Sequence, residues 1–316
     1  MKILFVWTGI TRCAGDCWRS LAALPGVSLR VVVDARRDEE LARAILHDVD
    51  FSWADGLAAQ DEERPDVLFA VGWRSHVVRS FVERRDWRGV PKVLCFDMPW
   101  RRGFRCFAAR FALWRYCRRF GAAYVPGESA SRYARWLGFD RIERGFLAMD
   151  VRRFAEAAAE VPPSSRKGFL YVGRDSPEKR LDLTRCAYAR YRSLGGSWSV
   201  EFHHATPYSC LPAVYARAAC LVMSSERDAW PLVALEAKSA GCDVILSDRC
   251  GNRFDLPDAK VVPFGDVDAM AREMLAVERN FSVQSAAGAL EKYDCREWAG
   301  RTLCLAEELA KGKGAM

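Results

Sequence analysis

Several signals that would assign a protein to a class at once are missing from this sequence of 316 residues. It has only four histidines, and none of them stands in a zinc-type spacing. No stretch approaches the roughly 18 uncharged apolar residues of a membrane span. The opening segment, MKILFVWTG, is too short for a signal-peptide core and reaches Arg12 without a small-residue cleavage site. We therefore expect a cytosolic protein.

The twelve cysteines lack the pattern of a disulfide scaffold or of a metal site. Disulfide scaffolds are small secreted domains, whereas this chain is long and has no secretion signal. No CxxC motif occurs, and Cys13 and Cys17 have no second pair or histidine close by in the sequence. Reduced, mostly buried thiols are the better interpretation. The GxGxxG fingerprint of dinucleotide binding is also missing, since GITRCAG follows the first predicted strand.

Positive charge is abundant and unevenly placed, with a net charge of +7. Residues 98–127 hold seven arginines and no acid. Four aromatic residues recur there at helical spacing: Phe104, Phe107, Phe111 and Trp114. The pattern predicts an amphipathic helix with these four residues on its apolar face, and with a second face that is basic and aromatic. That face is either ordinary solvated surface or, through residues 100–120, a surface for anionic lipid headgroups or a phosphate-bearing acceptor. Nucleic acid is not expected as a partner, because no nucleic-acid motif accompanies the charge.

Apolar strand-like runs alternate with helical patterns along the chain. The first half contains five such runs, at 2–7, 28–34, 65–72, 91–97 and 122–127. The second half contains five more, at 167–173, 197–204, 219–225, 242–248 and 259–265. This alternation predicts parallel sheets covered by helices on both faces. Because residues 150–166 contain adjacent prolines, serines and charges, we expect a linker there, between two doubly wound α/β domains. Ligands of such sheets bind beyond the carboxyl ends of the strands, here in a cleft between domains.

The loop YVGRDSPEKRLDL follows the first predicted strand of the second half. Arg174 comes directly after Gly173 at the strand end, and Lys179 precedes a helical run that begins near Leu181. Two cations beside a helix N-terminus suit a diphosphate. A surface loop with an ordinary Glu–Lys charge pair is the alternative.

Two strand–helix units later, SSERDAWPLVALEAKSAG places Asp228 after a strand and Glu236 in the following helix. Pro231 stands near the helix start, where its missing N–H costs little. Carboxylates accept hydrogen bonds from the vicinal hydroxyls of sugars. The turn SDRCGN, at 247–252, follows the next strand at the same edge of the sheet. The alternative is a helix with a charged first turn and one exposed acid.

In this order and spacing, GRDSPEKR, SSERDAWPLVALEA and SDRCGN resemble the motifs of the retaining nucleotide-sugar glycosyltransferases of the GT-B fold, glycosyltransferase family four. The likeness covers most of residues 165–265, and GFLAMDVRRF resembles the family's interdomain segment. The resemblance implies two Rossmann-like domains facing across a cleft. Residues 1–153 would bind the acceptor and residues 154–294 the donor, and the final helix, 295–316, would pack back on the N-terminal domain.

By this resemblance, Arg174 and Lys179 hold the donor's diphosphate and stabilise the leaving group. Asp228 contacts the sugar ring, and Glu236 binds the ribose hydroxyls. The donor site as a whole would comprise Gly173, Arg174, Lys179, Asp228, Ala229, Trp230, Pro231, Leu232, Glu236 and His204. The acceptor side would include Gly15, Asp97, Arg101 and Arg102.

The resemblance also implies a reaction. A hexosyl group would pass from a UDP- or GDP-linked sugar to a hydroxyl of a glycan or lipid-linked acceptor, as in polysaccharide assembly. Front-face substitution would retain the anomeric configuration without a dedicated base, and positioning and leaving-group stabilisation would do most of the work. No metal or cofactor would be needed, because Arg and Lys balance the phosphate charge. A lipid-linked acceptor would bring the protein to the inner face of the membrane.

The chain departs from the family pattern at several positions. Asp228 replaces the commoner Glu, Arg180 and Pro231 each replace a Gly, and Asn252 replaces the second Gly of its turn. EFHHATP replaces a Gly-containing loop, and Gly15 alone remains of the Gly-rich acceptor loop. Pro231 removes a backbone donor beside the sugar, which puts turnover in question. A non-catalytic nucleotide-sugar-binding module is therefore one alternative, and a sugar-nucleotide epimerase with the same two-domain fold is the other.

A metal-dependent GT-A glycosyltransferase is not expected. Such an enzyme needs an Asp-x-Asp metal site after a buried strand. The two DVD triplets, at 48–50 and 266–268, have the pattern of acids at helix starts instead.

Overall fold

The computed structural model describes residues 1–34, 39–55, 62–101, 103–256, 258–282 and 290–312, without the side chains of residues 41 and 105. The chain divides into two compact units. Unit 1 comprises Met1–Met149 together with Tyr293–Met316, and unit 2 comprises Asp150–Lys292. No helix within the described residues has both the length and the apolar composition needed to cross a bilayer.

Unit 1 is built on a seven-stranded sheet in the order β3-β2-β1-β4-β5-β6-β7. Its strands are β1 (Lys2–Trp7), β2 (Ser28–Val33), β3 (Asp50–Trp53), β4 (Val67–Val71), β5 (Lys92–Cys95), β6 (Ala122–Val125) and β7 (Ile142–Arg144). Every ladder in this sheet is parallel. The order reverses between β1 and β4, as in a doubly wound fold.

The helices of unit 1 cover both faces of this sheet. They are α1 (Arg12–Ala22), α2 (Glu39–Ile45), α3 (His76–Val82), α4 (Phe104–Ala112), α5 (Trp114–Cys117), α6 (Glu128–Leu137) and α12 (Cys295–Lys311). Strand β1 shows why two layers are needed, since its side chains alternate between two cores. Ile3 and Phe5 belong to one buried cluster, and Leu4 and Val6 belong to the other.

Helix α12 belongs to unit 1 although it ends the chain. It packs against α1, and Trp298 lies in the same buried cluster as Phe5. The indole nitrogen of Trp298 donates to the carbonyl of Phe146 at 2.8 Å. The side chain of Asp294 caps the helix by accepting from the amide of Arg296.

Unit 2 is built on a five-stranded parallel sheet in the order β12-β11-β10-β8-β9. Its strands are β8 (Phe169–Val172), β9 (Val200–His203), β10 (Cys220–Met223), β11 (Asp243–Ser247) and β12 (Lys260–Val262). Its helices are α7 (Val151–Ala159), α8 (Leu181–Ser193), α9 (Leu211–Arg217), α10 (Leu232–Ser239) and α11 (Val267–Asn280). Short 3-10 turns lie at Pro163–Ser165, Pro177–Lys179 and Tyr208–Cys210, and a fourth, Glu291–Tyr293, spans the boundary with unit 1. The strand order reverses between β8 and β10, which makes the space beyond their carboxyl ends the switch point of this sheet.

The prediction of an α/β protein with two parallel sheets is confirmed. The predicted linker is wrong in its first part, because residues 151–159 form α7. The side chain of Asp150 caps this helix, and Val151 and Phe154 are buried as α7 packs against α9 and α10. A domain boundary at 153/154 would therefore cut through α7.

Two strands were not predicted, β3 and β7. Both are edge strands of three or four residues, and neither contains a fully buried side chain. The prediction that residues 48–50 contain an acid at a helix start is wrong, because Asp50 begins strand β3. Asp266 does cap a helix, accepting from the amide of Ala269 at 2.8 Å.

Candidate functional site

The motif residues of unit 2 gather at the switch point of its sheet. The segment GRDSPEKR follows β8, and the segment SSERD follows β10, the strand paired with β8. The turn SDRCGN begins at the end of β11, the next strand in the sheet. Because all strands are parallel, these three loops share one edge.

An ion pair joins the first two loops. The ammonium of Lys179 lies 2.5 Å from a carboxylate oxygen of Asp228. Their side chains are only 17% and 10% exposed. A charge taken out of water is costly unless it is paired, so the pairing offsets part of the cost of burying each group. The pair places a cation and an anion side by side at the switch point.

Backbone and hydroxyl hydrogen bonds hold the same two loops together. The amides of Glu226 and Arg227 donate to the carbonyl of Glu178, at 2.9 and 3.3 Å. The hydroxyl of Ser224 donates to the carbonyl of Arg180 at 2.6 Å. These bonds fix the position of Lys179 relative to Asp228, so the ion pair does not depend on side-chain attraction alone.

The third loop contacts the Asp228 segment through its backbone. The amide of Gly251 donates to the carbonyl of Asp228 at 2.9 Å. A Cβ at position 251 would lie 1.7 Å from the carbonyl oxygen of Ala229, so only glycine fits here without displacement. The close approach of two backbones therefore explains why the SDRCGN turn requires glycine at position 251.

Arg180 occupies a left-handed backbone conformation, with φ of 50°. This explains why a glycine would be natural after Lys179, since a side chain is disfavoured at such a φ. The guanidinium of Arg180 pairs with Asp182 at 2.8 Å, and its carbonyl accepts the bond from Ser224. These contacts hold a non-glycine residue in the turn.

Two further departures from the family pattern touch one another. The side-chain amide of Asn252 donates to the carbonyl of Pro231 at 3.0 Å, and Asn252 is fully buried. Pro231 occupies the N-cap position of α10, with Leu232 as the first helical residue. Trp230, beside it, is 6% exposed, whereas Ala229 is half-buried. The loop between Asp228 and α10 is therefore anchored at both ends by the SDRCGN turn.

Glu236 lies in α10, and among the described residues its side chain contacts Tyr215 rather than Asp228. It is 3% exposed, and its carboxylate accepts a hydrogen bond from the hydroxyl of Tyr215 at 2.9 Å. Burial raises the pKa of the Glu236 carboxyl to about 7, while the bond from Tyr215 opposes that shift. The sequence did not indicate Tyr215, which lies on α9, 21 positions earlier.

Arg174 and His204 lie at the exposed rim of the same edge. The side chain of Arg174 is 80% exposed, and its guanidinium is 3.6 Å from the carboxylate of Glu178. A ring nitrogen of His204 lies 3.2 Å from the carbonyl of Gly173. Both residues can therefore reach a ligand at the rim, whereas Lys179 lies deeper.

The four residues expected on the acceptor side belong to unit 1, and the structure describes three of them. Gly15 was expected in a loop, but it lies inside α1. A Cβ there would lie 1.8 Å from the Cγ2 methyl of Ile45, so packing against α2 explains this glycine. Asp97 and Arg101 are exposed in the segment after β5, and Arg102 lies outside the described residues.

Comparison with protein families places a known pattern on this region. Residues 185–288, a third of the chain, match the family model described as glycosyl transferases group 1. The match spans β9 to α11 and includes Asp228 and Glu236. No curated protein sequence matches the chain.

Solved structures share the fold of the whole chain. A lipopolysaccharide outer core galactosyltransferase, WaaB, is 14% identical with a TM-score of 0.69, covering 96% of this chain and 98% of its own. HepE of Anabaena, in complex with UDP and glucose, is 13% identical with a TM-score of 0.67, covering 100% of both chains. An α,α-trehalose-phosphate synthase (UDP-forming) of Burkholderia vietnamiensis is 13% identical with a TM-score of 0.68, covering 98% of this chain and 100% of its own. At these identities the likeness establishes the fold, which is the GT-B fold that the sequence predicted.

Proposed function

We propose that this protein is a glycosyltransferase that transfers a hexosyl group from a nucleoside-diphosphate sugar to a hydroxyl of a glycan or lipid-linked acceptor. The Lys179–Asp228 pair at the switch point of unit 2 carries the proposal. The match of residues 185–288 to the glycosyl transferases group 1 model supports it. Two of the structures that share the fold are named with UDP, which favours a UDP-linked donor over a GDP-linked one.

Lys179 and Arg174 would bind the diphosphate. Lys179 lies close to the sheet edge with 17% exposure, and Arg174 lies at the rim with 80% exposure, so the two cations offer an inner and an outer contact. A charged hydrogen bond to phosphate is stronger than a neutral one. In the structure, Lys179 pairs with Asp228 and Arg174 pairs with Glu178, so a diphosphate would compete with these carboxylates for the two cations.

Asp228 would accept hydrogen bonds from hydroxyls of the donor sugar, beside the diphosphate that Lys179 holds. Glu236 would accept from the ribose hydroxyls. Because Tyr215 donates to one carboxylate oxygen, the ribose would use the other. Hydrogen bonds from the ribose hydroxyls would then favour the ionised form of Glu236 at neutral pH, since hydrogen bonds to the charged form lower a pKa.

In the transfer step, the oxygen of the acceptor hydroxyl bonds to the anomeric carbon as the bond from that carbon to the phosphate oxygen breaks. The hydroxyl proton passes to a phosphate oxygen of the departing nucleoside diphosphate. Both events on one face retain the anomeric configuration and use no base from the protein. Lys179 and Arg174 stabilise the charge that develops on the leaving group, which is the role a metal plays in other transferases.

Titration calorimetry with UDP, GDP, ADP, CDP and TDP tests the donor site. Lys179→Met and Arg174→Gln should each weaken the binding of the preferred nucleotide by about 1.5–3 kcal/mol, the scale of a charged hydrogen bond. Arg190→Gln is the matched control, because Arg190 is an exposed arginine of unit 2 that pairs with Asp268. It should bind like the parent protein. Equal affinity in the parent, Lys179→Met and Arg174→Gln would refute the diphosphate assignment.

Turnover separates the transferase from the alternatives. Incubation with the matching nucleotide sugar should release nucleoside diphosphate, slowly to water and faster once an acceptor is supplied. Binding without any consumption of the donor would identify a non-catalytic module. Conversion of the sugar to its epimer would identify an epimerase.

A further inference from the structure

A second surface of the protein, in unit 1, is both aromatic and basic. The solvent face of α4 and α5 carries Phe104, Phe107, Phe111 and Trp114, which are 83%, 51%, 70% and 50% exposed. The exposed arginines around them are Arg110, Arg115, Arg118 and Arg119. We call these eight residues the α4–α5 surface.

The phenylalanines are exposed because α4 packs the face that carries its small residues against the protein. Cys106 and Ala109 pack at the edge of the core, where the carbonyl of Cys106 accepts from the indole of Trp136 at 3.0 Å. The sequence pattern predicted that the aromatic stripe would be one face of the helix, and the structure places it outward. Large aromatic side chains exposed together are unusual on a protein surface and indicate a partner.

The cations lie directly beside the rings. The guanidinium of Arg118 is 4.9 Å from the ring centre of Trp114, and that of Arg110 is 5.3 Å from the ring centre of Trp136. Phe107 in turn lies 5.4 Å from Trp136 and 5.7 Å from Phe111. Apolar rings and positive charge therefore form one continuous surface.

A cavity of about 440 Å³ opens at the side of this surface. Arg110, Arg118 and Arg141 line it together with Trp114 and one acid, Asp140. Arg141 also pairs with Glu308. The three arginines outnumber Asp140 and Glu308 together, so the cavity favours a small anionic group.

We propose that the α4–α5 surface docks on a bilayer that contains anionic lipids. The exposed rings enter the boundary between headgroups and acyl chains, and the arginines contact lipid phosphates, one of them within the cavity. Charge complementarity decides for this partner. Residues 98–127 contain seven arginines and no acid, and an acidic leaflet attracts that charge, whereas a second copy of the same surface would repel it.

Vesicle flotation of the full chain tests the proposal, with phosphatidylcholine vesicles that contain or lack phosphatidylglycerol. The parent should bind only the anionic vesicles, and added salt should weaken the binding. Phe104→Ser combined with Phe111→Ser should reduce the partition coefficient at least about tenfold, a change of about 1.4 kcal/mol. Arg115→Gln combined with Arg118→Gln should reduce it similarly and lessen its dependence on salt.

Matched controls come from unit 2. Phe254 is 51% exposed, as Phe107 is, and Phe254→Ser should leave vesicle binding unchanged. Arg217 and Arg272 are exposed, and Arg217→Gln combined with Arg272→Gln should also bind like the parent. Circular dichroism and the melting temperature should be measured for each variant, and we expect each to be folded because the substitutions are at exposed positions.

Three outcomes overturn the proposal. The first is a parent protein that does not bind anionic vesicles. The second is binding that survives in the phenylalanine and arginine variants. The third is a parent protein that does not bind vesicles but self-associates in sedimentation experiments, while the phenylalanine variant does not self-associate. The surface would then be an interface between copies. Nucleotide binding by unit 2 is measured separately, so failure here leaves the donor-site test intact.

Discussion

Replacing Gly251 by alanine tests whether the contact between the SDRCGN turn and the Asp228 segment organises the donor site. The added Cβ would lie 1.7 Å from the carbonyl oxygen of Ala229 and 2.7 Å from its carbonyl carbon. Ordinary van der Waals contact begins near 3.4 Å, and both neighbours are backbone atoms that no rotamer change can remove. The turn must therefore move away from Asp228.

The magnitude follows from two losses. Overpacking of a buried position costs about 1–3 kcal/mol. The hydrogen bond from the amide of Gly251 to the carbonyl of Asp228 would be lost as well, at about 0.5–1.5 kcal/mol. We expect the free energy of unfolding to fall by about 2–4 kcal/mol, and the melting temperature to fall by about 5–15 °C. Because the displaced turn no longer holds the Asp228 segment in place, nucleotide-sugar affinity should also fall.

Urea denaturation, differential scanning calorimetry and donor titration measure these effects. Gly300→Ala is the control, because Gly300 lies inside α12, where a Cβ would meet nothing within 4 Å. Alanine is the better helix former, so this variant should match or exceed the parent by up to about 1 kcal/mol. A Gly251→Ala protein within about 0.5 kcal/mol of the parent, with unchanged donor affinity, would refute the reasoning.

Three other predictions concern single side chains. The folded-state pKa of Glu236 is about 7, above the ordinary value of 4.5, so between these pH values the folded protein binds more protons than the unfolded chain. Its free energy of unfolding should therefore fall as the pH rises through that range. Glu236→Gln should remove this slope when stability is measured by urea denaturation at a series of pH values. Gly15→Ala should cost about 1–3 kcal/mol through its clash with Ile45, and Ile45→Ala in the same chain should recover part of that loss in a double-mutant cycle. Trp298→Ala should cost about 3–5 kcal/mol in urea denaturation, because the indole is buried in the core of unit 1; a loss below about 1 kcal/mol would contradict that placement.

The central strands of both sheets were readable from the sequence because both of their faces are buried. Strands β4, β8 and β10 are continuous apolar runs, and β1 and β11 each contain one, as is typical of parallel sheets. The edge strand β7, with sequence IER, contains only partly buried or exposed side chains and so has no such signal. Helix α7 was missed for a related reason, since the two prolines that follow it dominate the local pattern and only two of its residues, Val151 and Phe154, are buried.

The donor-site motifs were also readable, but not all of their contacts. Lys179 and Asp228 were assigned to one edge because each follows a strand in a parallel arrangement. Their direct pairing requires that β8 and β10 be neighbours, although β9 lies between them in the chain. The partner of Glu236 was not readable at all, because Tyr215 comes from a different helix with no pattern linking the two.

The amino-acid sequence was enough to establish the fold class and the edge of the sheet where the motifs meet, since hydrophobic periodicity and the direction of parallel strands are local properties of the chain. Which loops touch, which glycines are required by close approach and which face of α4 is exposed depend on strand order and on how the helices pack. Those are set by contacts between residues far apart in the chain, such as Gly251 with Ala229 and Gly15 with Ile45, and they exist only once the chain has folded.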